Sequence, residues 1–173
     1  MNTGKIFEGN FVKSIPKEYY HLRLKDPAVS FCGGDSKFSP TNPYDFIVFD
    51  GSSLFCFELK SKDGAINFWS SEIEADGKKH TFEIKKQQIK GLTEAAEHKG
   101  VNAGLLINFR NKDKTVYIPI KEFNKFVEST DKKSMNCDDA CKIGIEVAVK
   151  KLRVNERYDI KSLCEEVKNI GNK

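Results

Sequence analysis

The sequence predicts an α/β protein in which helices flank a central mixed β-sheet, and three patterns lead to this prediction. Apolar residues at helical spacing open the chain, two pairs of apolar runs joined by turn residues occupy its middle, and further helical patterns lie between and after these pairs. Helices that alternate with strand pairs are typical of one sheet covered by helices. A chain of 173 residues suits one domain with a buried core.

The composition indicates a globular protein and argues against several other classes. Thirteen Phe and an apolar share of 39% are more than a disordered chain carries. The formal net charge of +4 permits a polyanionic partner without requiring one. Five cysteines, an odd number with no C-x-x-C pair, argue against a disulfide scaffold and a zinc ribbon and for free thiols in a reducing compartment. The N-terminus does not resemble a signal peptide and no apolar run approaches membrane-spanning length, so we expect a soluble intracellular protein.

The first predicted element is a helix near the N-terminus. Asn2 or Thr3 is a suitable N-cap, and Pro16 cannot continue the helix. The apolar stripe of this helix consists of Phe7, Phe11 and Ile15. Glu8 lies beside that stripe, so an acidic side chain is expected next to the core.

Two strand pairs are predicted in the middle of the chain. The runs "YDFIVF" (44–49) and "LFCFELK" (54–60) flank the turn "DGSS" and form a hairpin. The runs "AGLLINFR" (103–110) and "TVYIPI" (115–120) flank "NKDK" and form the second pair. Pro119 indicates that its strand lies at a sheet edge or ends there.

The remaining segments predict helices and one irregular stretch. A helix over 82–100 would end at Gly100 as its C′ residue, a short helix covers 121–128, and a closing helix covers 159–170. Residues 61–82 are polar and predict no regular element. We expect a core over 1–128 and a C-terminal extension, 129–173, packed on the same domain.

Alternation fixes the register of the first hairpin. A turn centred on Gly51 and Ser52 pairs Tyr44 with Leu59, Phe46 with Phe57 and Val48 with Phe55 on one apolar face. On the other face it pairs Phe49 with Leu54, Ile47 with Cys56 and Asp45 with Glu58. A shift by one residue would break the aromatic pairing, so we favour this register.

This register sets two carboxylates opposite each other. Directly opposed residues bring their Cβ atoms to roughly 5 Å, and like charges there destabilise a sheet. Asp45 and Glu58 therefore need a cation nearby. Lys60 lies on the same face, and Mg²⁺, which prefers oxygen ligands, is the other candidate. Acidic residues at strand ends are also common for structural reasons alone, so the spacing by itself leaves both interpretations open.

Two motifs resemble those of a nuclease superfamily. "NPYDF" followed by "FELKS" is similar to the PD-(D/E)xK signature. "TGKIFEGNF", "YYHLRLKD" and "IKKQQIKGL" leading into "AGLLINFR" resemble, in the same order, RecU-type Holliday junction resolvases, in particular small phage-like members. The resemblance runs from about Thr3 to about Phe126 and implies a restriction-endonuclease-like core.

The resemblance implies a role for individual residues. Asp45 matches the Asp of the signature, and Glu58 and Lys60 match its (D/E)xK. Glu8 matches the acid of the first helix and Gln88 the helix glutamine. All five would be catalytic, and Asp45, Glu58 and Glu8 would bind Mg²⁺, with Mn²⁺ as a substitute, for hydrolysis of a phosphodiester bond.

The resemblance also implies partners. The substrate would be branched DNA, cut symmetrically by a homodimer in the cytoplasm of a bacterial or phage-infected cell, without a membrane or a nucleotide cofactor. Basic residues near the motifs are candidates for phosphate contacts. They are Lys5, Arg23, Lys25, Lys62, Lys85 and Lys86, with Arg110 as a further candidate.

Two departures from the family keep alternatives open. Only a short loop, "GGDSKFSPTN" (33–42), stands where the bacterial resolvases carry a long β-stalk, and "EIEADGKKHTF" (72–82) resembles a local insertion. The short loop puts strict selectivity for four-way junctions in question. The alternatives are another PD-(D/E)xK nuclease of restriction or repair type and a catalytically inactive DNA-binding module.

Overall fold

A computed structural model of the chain describes residues 3–24, 42–75 and 81–171. The predictions that concern Lys25, Cys32 and most of the loop at 33–42 lie outside these ranges.

The helices of the described part carry the apolar stripes that the sequence indicates. All four predicted helices, the one near the N-terminus and those over 82–100, 121–128 and 159–170, correspond to helices of the structure. The helices are α1 (Thr3–Val12), α2 (Ser71–Ala75), α3 (Lys86–Ala95), α4 (Ile120–Ser129), α5 (Cys137–Ile143) and α6 (Ile160–Gly171), with a short 3-10 helix at Arg110–Lys112.

The strands form one mixed sheet and two small ribbons. They are β1 (Tyr20–Arg23), β2 (Phe46–Phe49), β3 (Leu54–Lys62), β4 (Ile66–Asn67), β5 (Val101–Phe109), β6 (Lys114–Pro119), β7 (Ser134–Met135), β8 (Ile145–Glu146), β9 (Val149–Lys151) and β10 (Glu156–Tyr158). The order in the main sheet is β1-β2-β3-β5-β6-β8, while β4 pairs with β7 and β9 with β10. The predicted central mixed sheet flanked by helices is confirmed.

The pair β3–β5 is parallel, and the other neighbours in the main sheet are antiparallel. A parallel pair needs a crossover that returns the chain to the same end of the sheet. The segment that contains α3 makes this return and packs against both strands. The crossover therefore places α3 over the middle of the sheet, beside the apolar strand β3.

Each face of the sheet is covered by its own apolar cluster. On one face Phe46, Phe55 and Phe57 pack with residues of α1 and α6. On the other face Leu105 and Ile107 pack with residues of α3, α4 and α5. Side chains that alternate along a strand point to opposite faces, so β3 contributes to both layers.

The hairpin register is confirmed for β2 and β3. Phe46 pairs with Phe57, Ile47 with Cys56, Val48 with Phe55 and Phe49 with Leu54. The prediction for Tyr44 is wrong, because this ring packs on the opposite cluster from Leu59 and interacts with Cys56. Backbone pairing with β3 continues one residue beyond β2, to Asp45, and strand alternation does not extend to Tyr44.

Some boundaries differ from the predicted ones. α1 ends at Val12 and the chain continues in turns to Pro16, and α3 ends at Ala95 rather than near Gly100. Gly100 has φ +80°, which favours glycine, and its carbonyl accepts the N–H of Leu54 at 2.9 Å. It therefore ends the loop that leads into β5.

The predicted irregular stretch 61–82 and the C-terminal segment contain regular structure. β4 and α2 lie within the first of these. In the second, Tyr158, Leu163 and Val167 belong to the same cluster as Phe11. The predicted division at residue 128 stays a prediction.

None of the helices described is long and apolar enough to cross a membrane. The four described cysteines, Cys56, Cys137, Cys141 and Cys164, are free, as predicted.

Candidate active site

Glu58 is the most unusual residue of β3, because a carboxylate is only 2% exposed in a central strand. Its Oε1 atom lies 2.8 Å from Nζ of Lys60. The same oxygen accepts a hydrogen bond from Nε2 of Gln88. Both bonds are made to Oε1, so the charge of Glu58 is compensated from the strand and from α3 together.

Asp45 lies directly before β2 and is fixed to β3. Its Oδ2 atom accepts the backbone N–H of Leu59 at 2.8 Å, and its own N–H donates to the carbonyl of Phe57 at 3.0 Å. These two bonds continue the hairpin beyond β2 and hold the Asp45 carboxylate beside the stretch between Glu58 and Lys60. The structure thus brings Asp45, Glu58 and Lys60 together.

The environment of Glu58 changes its proton affinity. The pKa of Glu58 is raised to about 7, chiefly by burial and also by the Asp45 carboxylate, while the Lys60 ammonium acts in the opposite direction. A buried carboxylate next to a second carboxylate is stabilised either by a proton or by a cation. At neutral pH a cation bound here competes with a proton on Glu58.

Gln88 connects Glu58 to the start of α3. Its Oε1 atom accepts the backbone N–H of Lys85 at 2.9 Å, while its Nε2 atom donates to Glu58. The two bonds orient the amide, because one end requires the oxygen and the other the nitrogen. Gln88 therefore caps the helix and holds Glu58. We call Asp45, Glu58, Lys60 and Gln88 the reaction centre.

A glycine that the sequence reasoning did not single out lets α3 approach the reaction centre. A Cβ atom on Gly91 would lie 2.3 Å from Cβ of Pro43, two residues before Asp45. Any larger residue would push α3 away from the segment that carries Asp45. An isolated glycine inside a helical pattern is the signal that could have identified this close approach.

Glu8, the third predicted metal ligand, lies on α1 and is partly buried. It pairs with Nη2 of Arg23 at 2.5 Å, and Arg23 is opposite Phe46 in the β1–β2 pair. Leu24, the next residue, donates its N–H to the carbonyl of Asp45 at 2.8 Å. Glu8 thus reaches the neighbourhood of Asp45 through Arg23. Across the described ranges, no three His, Cys, Asp or Glu side chains are grouped closely enough to bind a metal ion.

Several predicted DNA-binding cations are paired with acids. Lys5 and Lys85 are exposed, and each of four other cations bonds one carboxylate. The pairs are Arg23 with Glu8, Lys62 with Glu83 at 2.6 Å, Lys86 with Glu74 at 2.8 Å, and Arg110 with Asp63. The acids reduce the net positive potential of this surface, so phosphates would have to replace them as partners.

The donor atoms of the reaction centre suit a hard divalent cation. Asp45 and Glu58 supply carboxylate oxygens, and neither cysteine nor histidine contributes. Mg²⁺ is often bound by one or two carboxylates, with water and phosphate oxygens as further ligands. Burial first, and then the neighbouring Asp45 carboxylate, raise the pKa of Glu58, and a bound cation would offset both effects.

Comparisons with known proteins agree with this architecture. The model of the family RecU, recombination protein U, matches residues 42–158. The SPbeta prophage-derived uncharacterized protein YotM of Bacillus subtilis (strain 168) is 34% identical over 184 residues, which covers 96% of this chain and 87% of that protein.

A solved structure shows the same fold. Hjc, a Holliday junction resolvase from the archaeal hyperthermophile Archaeoglobus fulgidus, superposes with a TM-score of 0.50 at 13% sequence identity, over 82% of this chain and 93% of Hjc. The predicted restriction-endonuclease-like core is confirmed by this likeness. Because the family model covers more than half of the sequence, the chain belongs to the RecU family.

Proposed function

We propose that this chain is a metal-dependent endodeoxyribonuclease that resolves Holliday junctions by symmetric phosphodiester hydrolysis. One observation carries the proposal. In a RecU-family chain, Asp45 is fixed beside a buried Glu58 whose Oε1 atom contacts both Lys60 and Gln88. Two adjacent carboxylates, one ammonium and one amide are the groups that hydrolysis of a phosphodiester needs.

Asp45 and Glu58 would hold Mg²⁺, with Mn²⁺ as a substitute. The bound ion supplies a water of lowered pKa and stabilises negative charge on the reacting phosphate. Glu8 is the additional ligand, acting directly or through a water. Since Oε2 of Glu8 pairs with Arg23, Glu8 would act either through Oε1 or after Arg23 has turned to another anion, such as a DNA phosphate.

Lys60 and Gln88 have separate tasks. Lys60 lies 2.8 Å from Glu58 and is partly exposed, so its ammonium can orient the attacking water and neutralise charge that develops on the phosphate. Gln88 does not need to touch the phosphate. It holds Glu58 from α3 and thereby positions both Glu58 and Lys60.

The proposed homodimer has a candidate surface in the described structure. Tyr20 and Leu22 of β1 pair with Phe49 and Ile47 of β2, so the four side chains share one sheet face. Tyr20, Leu22 and Phe49 are exposed. We call these four residues the apolar β1–β2 face. An isologous contact through it would relate two reaction centres by a two-fold axis, which matches the symmetry of a four-way junction. The dimer would act in the cytoplasm, without a nucleotide cofactor.

The first prediction concerns the reaction centre. We expect Asp45→Ala and Lys60→Ala each to lower the rate of junction cleavage in Mg²⁺ by at least about 10²-fold to 10³-fold, because each removes a group that stabilises the transition state. Binding to the junction in Ca²⁺ is expected to stay nearly unchanged. Lys90→Ala, an exposed lysine on α3, is the matched control and should cut normally.

The substrate distinguishes the proposed function from its alternatives. The unaltered protein should place paired, symmetric nicks in a synthetic four-way junction and leave a linear duplex of the same sequence intact. Equal cutting of linear DNA would indicate a nuclease of restriction or repair type. Binding without cleavage in Mg²⁺ or Mn²⁺ would indicate a catalytically inactive DNA-binding module, and normal cleavage by both alanine variants would overturn the site assignment.

A further inference from the structure

The hairpin of β9 and β10, residues 149–158, has no part in the reaction centre and is firmly attached at its base. Tyr158 is buried, and its ring meets the ring of Phe7 edge to face at a centroid distance of 5.3 Å. The backbone N–H of Tyr158 donates to Oγ of Ser14 at 2.9 Å. At the other end, the N–H of Leu152 donates to the carbonyl of Asn155 at 2.7 Å and closes the tip.

The tip of this β9–β10 hairpin exposes apolar side chains. Val154 is 83% exposed, more than any other large apolar residue in the described ranges, and Leu152 is 44% exposed. One exposed apolar residue is ordinary on a protein surface. Leu152 and Val154 lie on either side of Arg153, at the tip of an element whose base is fixed. Together they form a small apolar surface that a partner can cover.

The charge of the β9–β10 hairpin indicates an anionic partner. Its ten residues contain four cations and one acid. Lys151 pairs with Asp113, and Glu156 accepts a hydrogen bond from the hydroxyl of Tyr158 at 3.0 Å. Lys150 and Arg153 are exposed and lie on the same hairpin as the apolar tip. A polyanion that also offers apolar faces matches this combination, and nucleic acid has both.

The β9–β10 hairpin lies at the end of the sheet where the reaction centre is found. Together with α1 it bounds an open groove of about 440 Å³. Polar side chains of the groove include Asn10, Ser61, Asn108, Arg110 and Asn155. Ser61 directly follows Lys60 in β3, and neighbouring side chains of a strand point to opposite faces. The groove is therefore on the other face of the sheet from Lys60, at the same strand end.

We propose that the β9–β10 hairpin is a second DNA-binding element that binds the branch point of the junction. Lys150 and Arg153 contact phosphates, and Leu152 and Val154 pack against bases that are unstacked at the branch. Inserting an apolar side chain between the bases of a continuous duplex costs the free energy of unstacking them. A branch offers base faces at a smaller cost, so the tip favours branched over continuous DNA. This inference rests on the proposed function, because it takes the substrate to be branched DNA.

The test measures binding by the full chain in Ca²⁺, by fluorescence anisotropy, with a four-way junction and a linear duplex of the same sequence. The double variant Leu152→Ala/Val154→Ala should bind the junction about fivefold to tenfold more weakly, which is the effect of removing two apolar side chains of this size from an interface. Its affinity for the duplex should fall by less than about twofold. Ile170→Ala, which removes an exposed apolar residue of α6, is the matched control and should leave both affinities unchanged.

Removing the two exposed cations of the β9–β10 hairpin should change DNA binding in a different way. Lys150→Ala/Arg153→Ala should weaken binding to both DNAs and reduce the slope of log K against log salt by about 1 for each phosphate that the variant no longer neutralises. Lys161→Ala, an exposed lysine of α6, is the control. With 2-aminopurine at the branch, the unaltered protein should raise the fluorescence by holding the base unstacked, and the apolar double variant should not.

The inference is overturned if the apolar double variant binds the junction as tightly as the Ile170→Ala control, or if its affinity falls equally for junction and duplex. Circular dichroism and thermal unfolding confirm that each variant is folded. These measurements are made in Ca²⁺ and do not depend on cleavage. A protein that binds the junction but fails to cut it in Mg²⁺ would contradict the proposed reaction, and the binding test of the hairpin would still apply.

Discussion

At the scale of single residues, Glu58 occupies a position that is costly for the fold and that suits the proposed binding of a cation. It lies in a strand whose neighbours are apolar, and burial raises its pKa to about 7. Lys60 and Gln88 satisfy one of its oxygens, which reduces the cost without removing it. A carboxylate kept in this state binds a cation more readily than one fully paired with lysine, because the second carboxylate at Asp45 still repels it.

The pKa of Glu58 predicts a stability effect in the metal-free protein. Between its ordinary value of 4.5 and about 7, the folded state holds a proton that the unfolded state has released, so the free energy of unfolding falls as the pH rises. We expect Glu58→Gln to be more stable than the unaltered protein by roughly 3 kcal/mol near pH 8, and by much less near pH 5. Urea unfolding in EDTA at both pH values measures this, and parallel pH profiles would contradict it.

The sequence predicted the placement of Asp45, Glu58 and Lys60 well because it depends on strand alternation, which is local. The association of Glu8 with Arg23 could not be predicted, because it depends on how α1 and β1 are placed against each other in space. Gly91 was missed for the same reason. Its small size matters only against Pro43, which is distant in sequence and adjacent in the fold.

At the scale of elements, the hairpin β2–β3 is held at its turn as well as along its strands. Oδ1 of Asp50 accepts the N–H groups of Ser52 and Ser53, each at 2.8 Å, and Oδ2 accepts a hydrogen bond from Nζ of Lys168 at 2.6 Å. Lys168 belongs to α6, so the last helix fixes the turn of the hairpin that carries the reaction centre.

The ion pair between Asp50 and Lys168 predicts the effect of removing Lys168. Burial favours a higher pKa for Asp50, but hydrogen bonds from Lys168 and from the N–H groups of Ser53 and Ser52 lower it below the usual 3.8. We expect Lys168→Met to reduce the free energy of unfolding by about 1–3 kcal/mol at pH 7. A lowered carboxyl pKa stabilises above its unfolded value, so the difference should shrink as the pH falls below about 4.

The control for Lys168→Met is Lys161→Met, at an exposed lysine of the same helix. It should change the free energy of unfolding by less than about 0.5 kcal/mol. Denaturant titrations of both variants at pH 7 and at about pH 3 give the comparison. Equal stability of Lys168→Met and Lys161→Met at pH 7 would show that the ion pair does not hold the turn.

Elements were predicted well where their apolar period is long and regular, as in β3, β5 and α6. The ends of α3 and the elements β4, α2, β9 and β10 were not. These short elements bury few side chains of their own, and they take their shape from partners far away in sequence, such as Met135 for Ile66 and Phe7 for Tyr158.

At the scale of the whole molecule, the proposed symmetric cleavage would use two separate surfaces. The apolar β1–β2 face is at one edge of the sheet, and the β9–β10 hairpin borders the groove next to the end of β3. An edge strand with exposed apolar side chains is a surface that proteins usually cover. A second copy of the chain would cover it and leave both hairpins available to DNA.

A charge placed on the apolar β1–β2 face tests the proposed dimer. We expect Leu22→Asp to raise the dissociation constant of the dimer by more than about 100-fold, because the variant buries an unpaired carboxylate in the interface. Sedimentation velocity measures the change. On a junction the monomer should produce single nicks in place of paired ones. Val154→Asp, also at an exposed apolar position but on the β9–β10 hairpin, should stay dimeric, and a dimeric Leu22→Asp would exclude this face as the interface.

The spacing of contacts along the chain sets an order for the formation of the reaction centre. The bond between Leu59 and Asp45 joins residues 14 apart, whereas Gln88 is 30 residues from Glu58 and Asn108 of β5 is 47 from Ser61. Short loops close first during folding. We therefore expect the two carboxylates to meet while they are still hydrated, before α3 and β5 enclose Glu58. We expect Mg²⁺ to bind this early hairpin, so stopped-flow refolding in Mg²⁺ should be faster than in EDTA, and equal rates would contradict that order.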